Sequence, residues 1–164
     1  VINFKDYIDN IPNYPKDGVL YRDIQPLLMN HSVFKEAIKR MGKLVDTPDY
    51  WVALESRGFL FASALSYKFG GGVRLIRKPG KLPNDGIVTI PYELEYGKSN
   101  LEMALLGEDD STCVIVDDVF ATGGTMNAAQ ILCESVGLDV IGKLVLIDIG
   151  INDDDSVKSL IQYE

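Results

Sequence analysis

Two adjacent acids, Asp117 and Asp118, followed at once by a run of small residues, are the part of this 164-residue chain best suited to chemistry. An acid pair accepts hydrogen bonds from vicinal hydroxyls, and small residues let several backbone N–H groups approach one phosphate. Ala121, Thr122, Gly123, Gly124 and Thr125 make up that run, with two threonine hydroxyls as further donors. A phosphorylated sugar offers both kinds of partner. The elements that must hold these groups follow from their flanks. Val114 to Asp118 is a β-branched run ending in the acids and reads as a buried parallel strand, while Met126 to Val136 reads as the helix beyond the loop. The loop then lies at the carboxyl end of a strand, where open α/β sheets bind ligands, and the helix N-terminus adds partial positive charge. A nucleotide P-loop is excluded because Gly124 is followed by Thr125 and Met126 instead of lysine. Gly70-Gly71-Gly72 does not supply the spacing of a dinucleotide site.

The same alternation recurs upstream. Asp49 to Glu55 reads as a strand, Gly58 to Phe69 as a helix packed through Phe59, Ala62, Leu65 and Phe69, and Val73 to Arg77 as the next strand. With Val140 to Ile149 as a further strand, the pattern predicts an α/β fold with a mostly parallel twisted sheet flanked by helices. Phe34, Ile38, Met41 and Val45 recur at helical spacing and read as core packing. Pro12 and Pro15, beside Asn10, Asn13 and Gly18, predict an extended entry segment. Residues 78–97 are rich in Pro, Gly and charge. Together with alternating segments at Ile87 to Leu94 and Leu101 to Leu105, they read as a mobile antiparallel excursion above the sheet, suited to a lid. Arg74, Arg77, Lys78 and Lys81 form a basic cluster for an anionic ligand. His31 reads as a turn residue before a helix, without a catalytic role, and Asp153-Asp154-Asp155 as a solvated acidic turn.

Composition narrows the class. The length suits one domain burying roughly 70% of the surface of its unfolded chain. A net charge of −8 argues against a nucleic-acid partner, because phosphate-backbone binding depends on accumulated Lys and Arg. The lack of a long apolar span and of a basic-then-apolar leader predicts no membrane association and a cytoplasmic location. Cys113 and Cys133 lack metal-ligand spacing and read as buried, reduced thiols.

Val114 to Thr125 resembles the phosphoribosyl-diphosphate (PRPP) motif of the type I phosphoribosyltransferases. Four further segments, in the family's order, narrow the resemblance to the adenine phosphoribosyltransferases: Pro15 to Ile24, Glu55 to Phe59, Arg77 to Pro83, and Tyr92 to Gly97. Departures are slight, with Asp17 where Pro is common and Val119-Phe120 where aliphatics are common, and the last fifteen residues match weakly. The resemblance implies a single type I phosphoribosyltransferase domain over 1–164, with a hood of about 1–30 and a mobile lid of about 78–105. It implies transfer of the 5-phosphoribosyl group from PRPP to adenine, a homodimer, and Mg²⁺ held mainly through PRPP, with Asp117 or Asp118 open to reach it through water.

Residue by residue, it places Asp117, Asp118 and Ala121 to Thr125 at the ribose and 5-phosphate. Ser56, Arg57, Lys81 and Tyr96 fall at the diphosphate, and Leu20, Tyr21 and Arg22 at adenine. Glu95, with Arg57 and Lys81, carries the catalytic role, Glu95 by handling the base proton. Other readings stay open: Tyr21 as a core aromatic, Arg57 in a surface ion pair, and Glu95 as a lid carboxylate without a role beside Glu93. Hypoxanthine, guanine or xanthine could replace adenine. A PRPP-sensing regulator without catalysis is the remaining alternative.

Overall fold

A computed structural model describes residues 1–83, 85–94, 97–107 and 110–164, with the backbone alone of Leu94. Among the described residues seven strands form one sheet in the order β5-β6-β4-β3-β7-β8-β9: β3 Tyr50–Leu54, β4 Gly72–Arg77, β5 Ile87–Leu94, β6 Gly97–Ala104, β7 Thr112–Phe120, β8 Asp139–Asp148 and β9 Val157–Gln162. The pairs β3–β4, β3–β7, β7–β8 and β8–β9 are parallel, whereas β6 runs antiparallel to both β4 and β5. Two short strands, β1 Asp9–Pro12 and β2 Leu20–Asp23, form a separate antiparallel pair near the chain start.

Side-chain alternation along the strands builds two apolar layers. Trp51, Ala53, Val114 and Val116 face helices α2 (His31–Met41) and α3 (Gly58–Phe69), packing against Val33, Ile38, Phe61 and Leu65. Val52, Leu54, Cys113 and Ile115 face the opposite way, onto Met126, Ala129 and Leu132 of α4 (Gly124–Ser135). Phe34, Ile38, Met41 and Val45 all join the first layer, as their spacing predicts. A five-residue helix α1, Gln25–Met29, precedes α2, and Asn30 caps α2 by accepting from the Val33 N–H. His31 is thus the first residue of α2. Trp51 is fully buried, with its indole N–H given to the Gly70 carbonyl at 2.8 Å. Cys113 and Cys133 are buried free thiols, and contact with Cys113 together with burial pushes Cys133 well above the ordinary thiol range.

Several sequence expectations need correction. The hairpin of β5 and β6 is antiparallel as expected but does not stand above the sheet: it extends the sheet edge through β4–β6 pairing. Val88, Ile90 and Tyr92 bury apolar surface against the α4 layer, which draws the hairpin into the core. Arg74 leaves the basic cluster. It is 7% exposed and donates to the Ala104 carbonyl at 2.8 Å, anchoring β6 instead of facing solvent. Asp154 is more than a solvated turn residue, since it lies 3.6 Å from the buried Lys143 ammonium and accepts from the Ser156 N–H and hydroxyl. The hydrogen bonds with Ser156 lead in holding its carboxyl below the ordinary range. Strand β7 runs two residues past the acids, to Phe120, so the acids lie inside a strand and not at its end.

Candidate active site

The connection leaving β3 passes through α3 to β4 on one side, and that leaving β7 passes through α4 to β8 on the other. The carboxyl ends of β3 and β7 therefore border a topological switch point, where open sheets leave a crevice. Glu55-Ser56-Arg57 follows β3, and Ala121-Thr122-Gly123 joins β7 to α4, so sequence-distant segments share one crevice. The Glu55–Ser56 peptide bond is cis. Glu55 accepts from Arg77 Nε at 3.1 Å and from the Lys78 N–H at 2.7 Å, tying this turn to the end of β4. The Lys78 hydrogen bond leads the causes that hold the Glu55 carboxyl below its ordinary range, with the Arg77 hydrogen bond and charge and then the Lys81 charge adding to it. Glu102 braces the segment from β6 by accepting from the Gly80 N–H at 3.3 Å. Ser56 is exposed in the turn.

Arg57 reaches across the crevice. Its Nε lies 2.6 Å from Asp118 Oδ2, and another guanidinium nitrogen donates to the Tyr21 hydroxyl of β2. The guanidinium carbon stands 5.0 Å from the Tyr21 ring centre, and Tyr14 meets that ring edge-on with centroids 5.1 Å apart. Residues predicted for base, diphosphate and ribose thus touch in a single chain of contacts. Asp118 is 5% exposed. Asp117 accepts from the Asp118 N–H at 2.8 Å. Desolvation, then the neighbouring Asp118 charge, drives the Asp117 carboxyl well above its ordinary range.

Beyond the acids, a hollow of about 80 Å³ is lined by Asp117, Ala121, Thr122, Gly123 and Thr125. A hollow this small, lined by short side chains and backbone, is on the scale of one phosphate group. Gly123 caps α4 at φ +91°, a left-handed conformation that favours glycine. Asn152, between β8 and β9, donates to the Thr122 carbonyl at 3.0 Å and stands 2.8 Å from where a Gly123 Cβ would sit. A larger hollow beside Tyr7, Met29 and His31 lacks both the acids and the small-residue loop.

Close packing at the start of α3 completes the crevice. A Cβ on Gly58 would stand 2.7 Å from the Val116 carbonyl oxygen and 3.3 Å from the Asp117 Cα. Gly58→Ala is therefore expected to destabilise the protein by about 1–3 kcal/mol, since backbone on both sides must give way. At this size the melting temperature should fall by about 2–4 °C per kcal/mol. A thermal melt of the ligand-free variant that matches the native protein would disprove this.

Leu20, Tyr21 and Arg22 all lie in β2, with Leu20 exposed and the other two partly covered. Arg22 donates to the Asn10 side chain, and its guanidinium carbon lies 3.8 Å from the Tyr163 ring centre. Lys5 approaches the same ring at 4.7 Å. Glu95 and Tyr96 lie outside the described residues. Glu55, Asn152, Tyr14 and Tyr163 are supports the sequence reading missed. Glu55 stood within a motif segment that could have indicated it, whereas Asn152 and Tyr163 reach the site only through the long-range pairing of β8 with β9.

The Phosphoribosyl transferase domain family matches residues 25–162. An adenine phosphoribosyltransferase from Carboxydothermus hydrogenoformans is 45% identical over 153 residues, covering 90% of this chain and 88% of the relative. The crystal structure of the Thermoanaerobacter pseudethanolicus adenine phosphoribosyltransferase is similar with a TM-score of 0.92 at 37% identity, covering 98% of each chain. That of the Saccharomyces cerevisiae enzyme, complexed with an imino-altritol bisphosphate and adenine, gives a TM-score of 0.78 at 33% identity over 89% of this chain and 85% of the other. With its acid pair, phosphate-sized hollow and cross-crevice arginine set on that same fold, the chain belongs to the phosphoribosyl transferase domain family and, within it, to the adenine phosphoribosyltransferases.

Proposed function

We propose that this protein is a purine-salvage enzyme that transfers the 5-phosphoribosyl group of PRPP to adenine, giving AMP and diphosphate. The observation that carries the reading is the contact of Arg57 with Asp118, which joins the diphosphate turn to the ribose acids in one crevice. The yeast relative bound to adenine and a sugar bisphosphate supports the choice of base.

A ring nitrogen of adenine displaces diphosphate from C1 of PRPP, so no nucleophilic side chain is required. The protein supplies position and charge. Asp117 and Asp118 orient the ribose hydroxyls, while Ala121, Thr122, Gly123, Gly124 and Thr125 hold the 5-phosphate at the amino end of α4. Ser56, Arg57, Lys81 and Tyr96 hold the diphosphate, and Arg57 and Lys81 offset the charge it gains as it leaves. Leu20 and Arg22 offer backbone groups to the base edge, and Tyr21 stacks on its face. Glu95 handles the base proton.

Among the described residues no group of three or more His, Cys, Asp or Glu is placed to hold a metal ion. Two neighbouring acids, one of them paired with Arg57, fit an ion bound mainly by substrate oxygens and reached by Asp117 or Asp118 through water. When bound, Mg²⁺ supplies charge neutralisation at the leaving diphosphate. Among the described residues no helix is long and apolar enough to cross a membrane. We place the enzyme in the cytoplasm, in keeping with its two free thiols, as a homodimer joined through the face bearing the diphosphate turn. Residues 1–30 act as the hood and residues 78–105 as the lid of one catalytic domain, the lid being anchored at the sheet edge where β6 pairs with β4.

The test is diphosphate release from PRPP and Mg²⁺ with adenine, hypoxanthine, guanine or xanthine offered separately. Adenine-selective release is the expected result. Release with another base would overturn the specificity and keep the mechanism, while PRPP binding without release under any base would make the protein a sensor.

A further inference from the structure

We propose that Tyr21 is a positioning residue whose hydroxyl clasps Arg57 onto Asp118, so that the ligand-free site is closed on itself and substrate must open it. The inference deepens the phosphoribosyl-transfer reading and rests on it. Arg57 is already committed within the protein: it is ion-paired with Asp118 through Nε and bonded to the Tyr21 hydroxyl through its terminal nitrogen. PRPP needs both partners of that ion pair for itself, the guanidinium for diphosphate and the carboxylate for a ribose hydroxyl. A group that stabilises the pair therefore opposes substrate binding by the same amount.

Tyr21 is placed to do this. Its ring is held edge-on by Tyr14 at an interplanar angle of 73°, and the Arg57 guanidinium lies beside that ring, so hydroxyl and ring both favour the clasped arginine. β2 carries Tyr21 from a hairpin distant in sequence from α3 and β7, so the clasp ties three separate segments together. The Arg57 side chain is 34% exposed, which leaves it room to swing toward an incoming anion, whereas the Asp118 side chain is 7% exposed and enclosed by its neighbours. The moving part is thus the arginine, and the tyrosine sets its resting position. The ring alone suffices to stack on a base. The hydroxyl is the part of Tyr21 that base stacking does not use.

The experiment is Tyr21→Phe, with binding of PRPP and Mg²⁺ measured calorimetrically in the absence of base and steady-state kinetics measured alongside. Loss of the hydroxyl removes one hydrogen bond from the free state only. PRPP should therefore bind about fivefold more tightly, the equivalent of about 1 kcal/mol for such a bond, with the KM for PRPP lowered and that for adenine unchanged. In an Arg57→Lys background, which keeps the charge and alters the donors, the same change should have no effect on PRPP binding. PRPP binding in Tyr21→Phe that is unchanged or weaker would overturn the clasp and leave the enzyme reading intact. A native protein that binds no PRPP would overturn both. A general structural role for Tyr21 would move both substrates' KM values together, and that outcome too would count against the clasp.

Discussion

Asp117→Asn is expected to melt later than the native protein and to turn over about a hundredfold more slowly. The native residue is a partly buried carboxylate beside a second carboxylate, and desolvation first, then the Asp118 charge, raise its proton affinity. Asparagine keeps the oxygen that accepts from the Asp118 N–H and discards the charge, so the local backbone geometry survives. Arg57 still neutralises Asp118. The pH dependence follows from the direction of the shift. A carboxyl bound more tightly to its proton in the folded state stabilises the fold at low pH, and that advantage is lost as pH rises through the folded-state pKa. The melting temperatures of variant and native protein should therefore coincide near the ordinary carboxylate value of 3.8 and separate as pH climbs toward neutrality, by a few degrees. Activity moves the other way, because hydrogen bonds from ribose hydroxyls to a charged acceptor are each worth about 1.5–3 kcal/mol. Calorimetric scans at several pH values, paired with diphosphate release, check both halves. A melting difference independent of pH would refute the assignment of this carboxyl.

Glu95→Gln should lower kcat by about 10²- to 10⁴-fold, the range expected when a positioned proton-transfer group is removed. The substitution keeps size and hydrogen-bonding capacity and removes the titrating group, so PRPP binding and thermal stability should stay near native. Although Glu95 itself is outside the described residues, the strand leading to it is well placed. The Glu93 carbonyl lies 3.5 Å from where a Gly124 Cβ would sit, which brings the end of β5 beside the amino end of α4 and the phosphate loop. β5 and β6 pair from Ile87 opposite Ala104 to Leu94 opposite Gly97, so the chain on both sides of Glu95 is anchored to the sheet. Glu93, two residues away, provides the control: Glu93→Gln should leave kcat unchanged. Single-turnover rates on the two variants check the prediction. Equal losses of folding stability and activity in Glu95→Gln would remove the proton-handling role.

How far the molecule can be read from its residues depends on the range of the interaction concerned. α3 begins and ends where its apolar spacing places it, because helix period is a local signal. The acid pair and small-residue loop were likewise visible as one short run. Membership of β5 and β6 in the main sheet was hidden, since it depends on pairing with β4 across a stretch rich in Pro and Gly. Arg74 was misplaced among ligand-binding cations because alternation along β4, not chemistry, decides which way it points. The contact of Arg57 with both Tyr21 and Asp118 could not be read at all. It exists only after three segments are folded onto the same end of the sheet.

β7 contains one irregularity with a wider meaning. Val114 and Val116 pack on the α2 and α3 layer, and strict alternation would send Val119 to the α4 layer and Phe120 to the first. The reverse is found: Val119 packs with the first layer and Phe120 is buried in the second. Asp117 and Asp118 occupy the crossover, committed to neither apolar layer. This is a seam, at which the side chains turned toward the crevice belong to neither apolar interior. A fold with such a seam separates its solubility and foldability from its ligand chemistry, so selection can retune what the crevice holds while the two layers go on assembling as before.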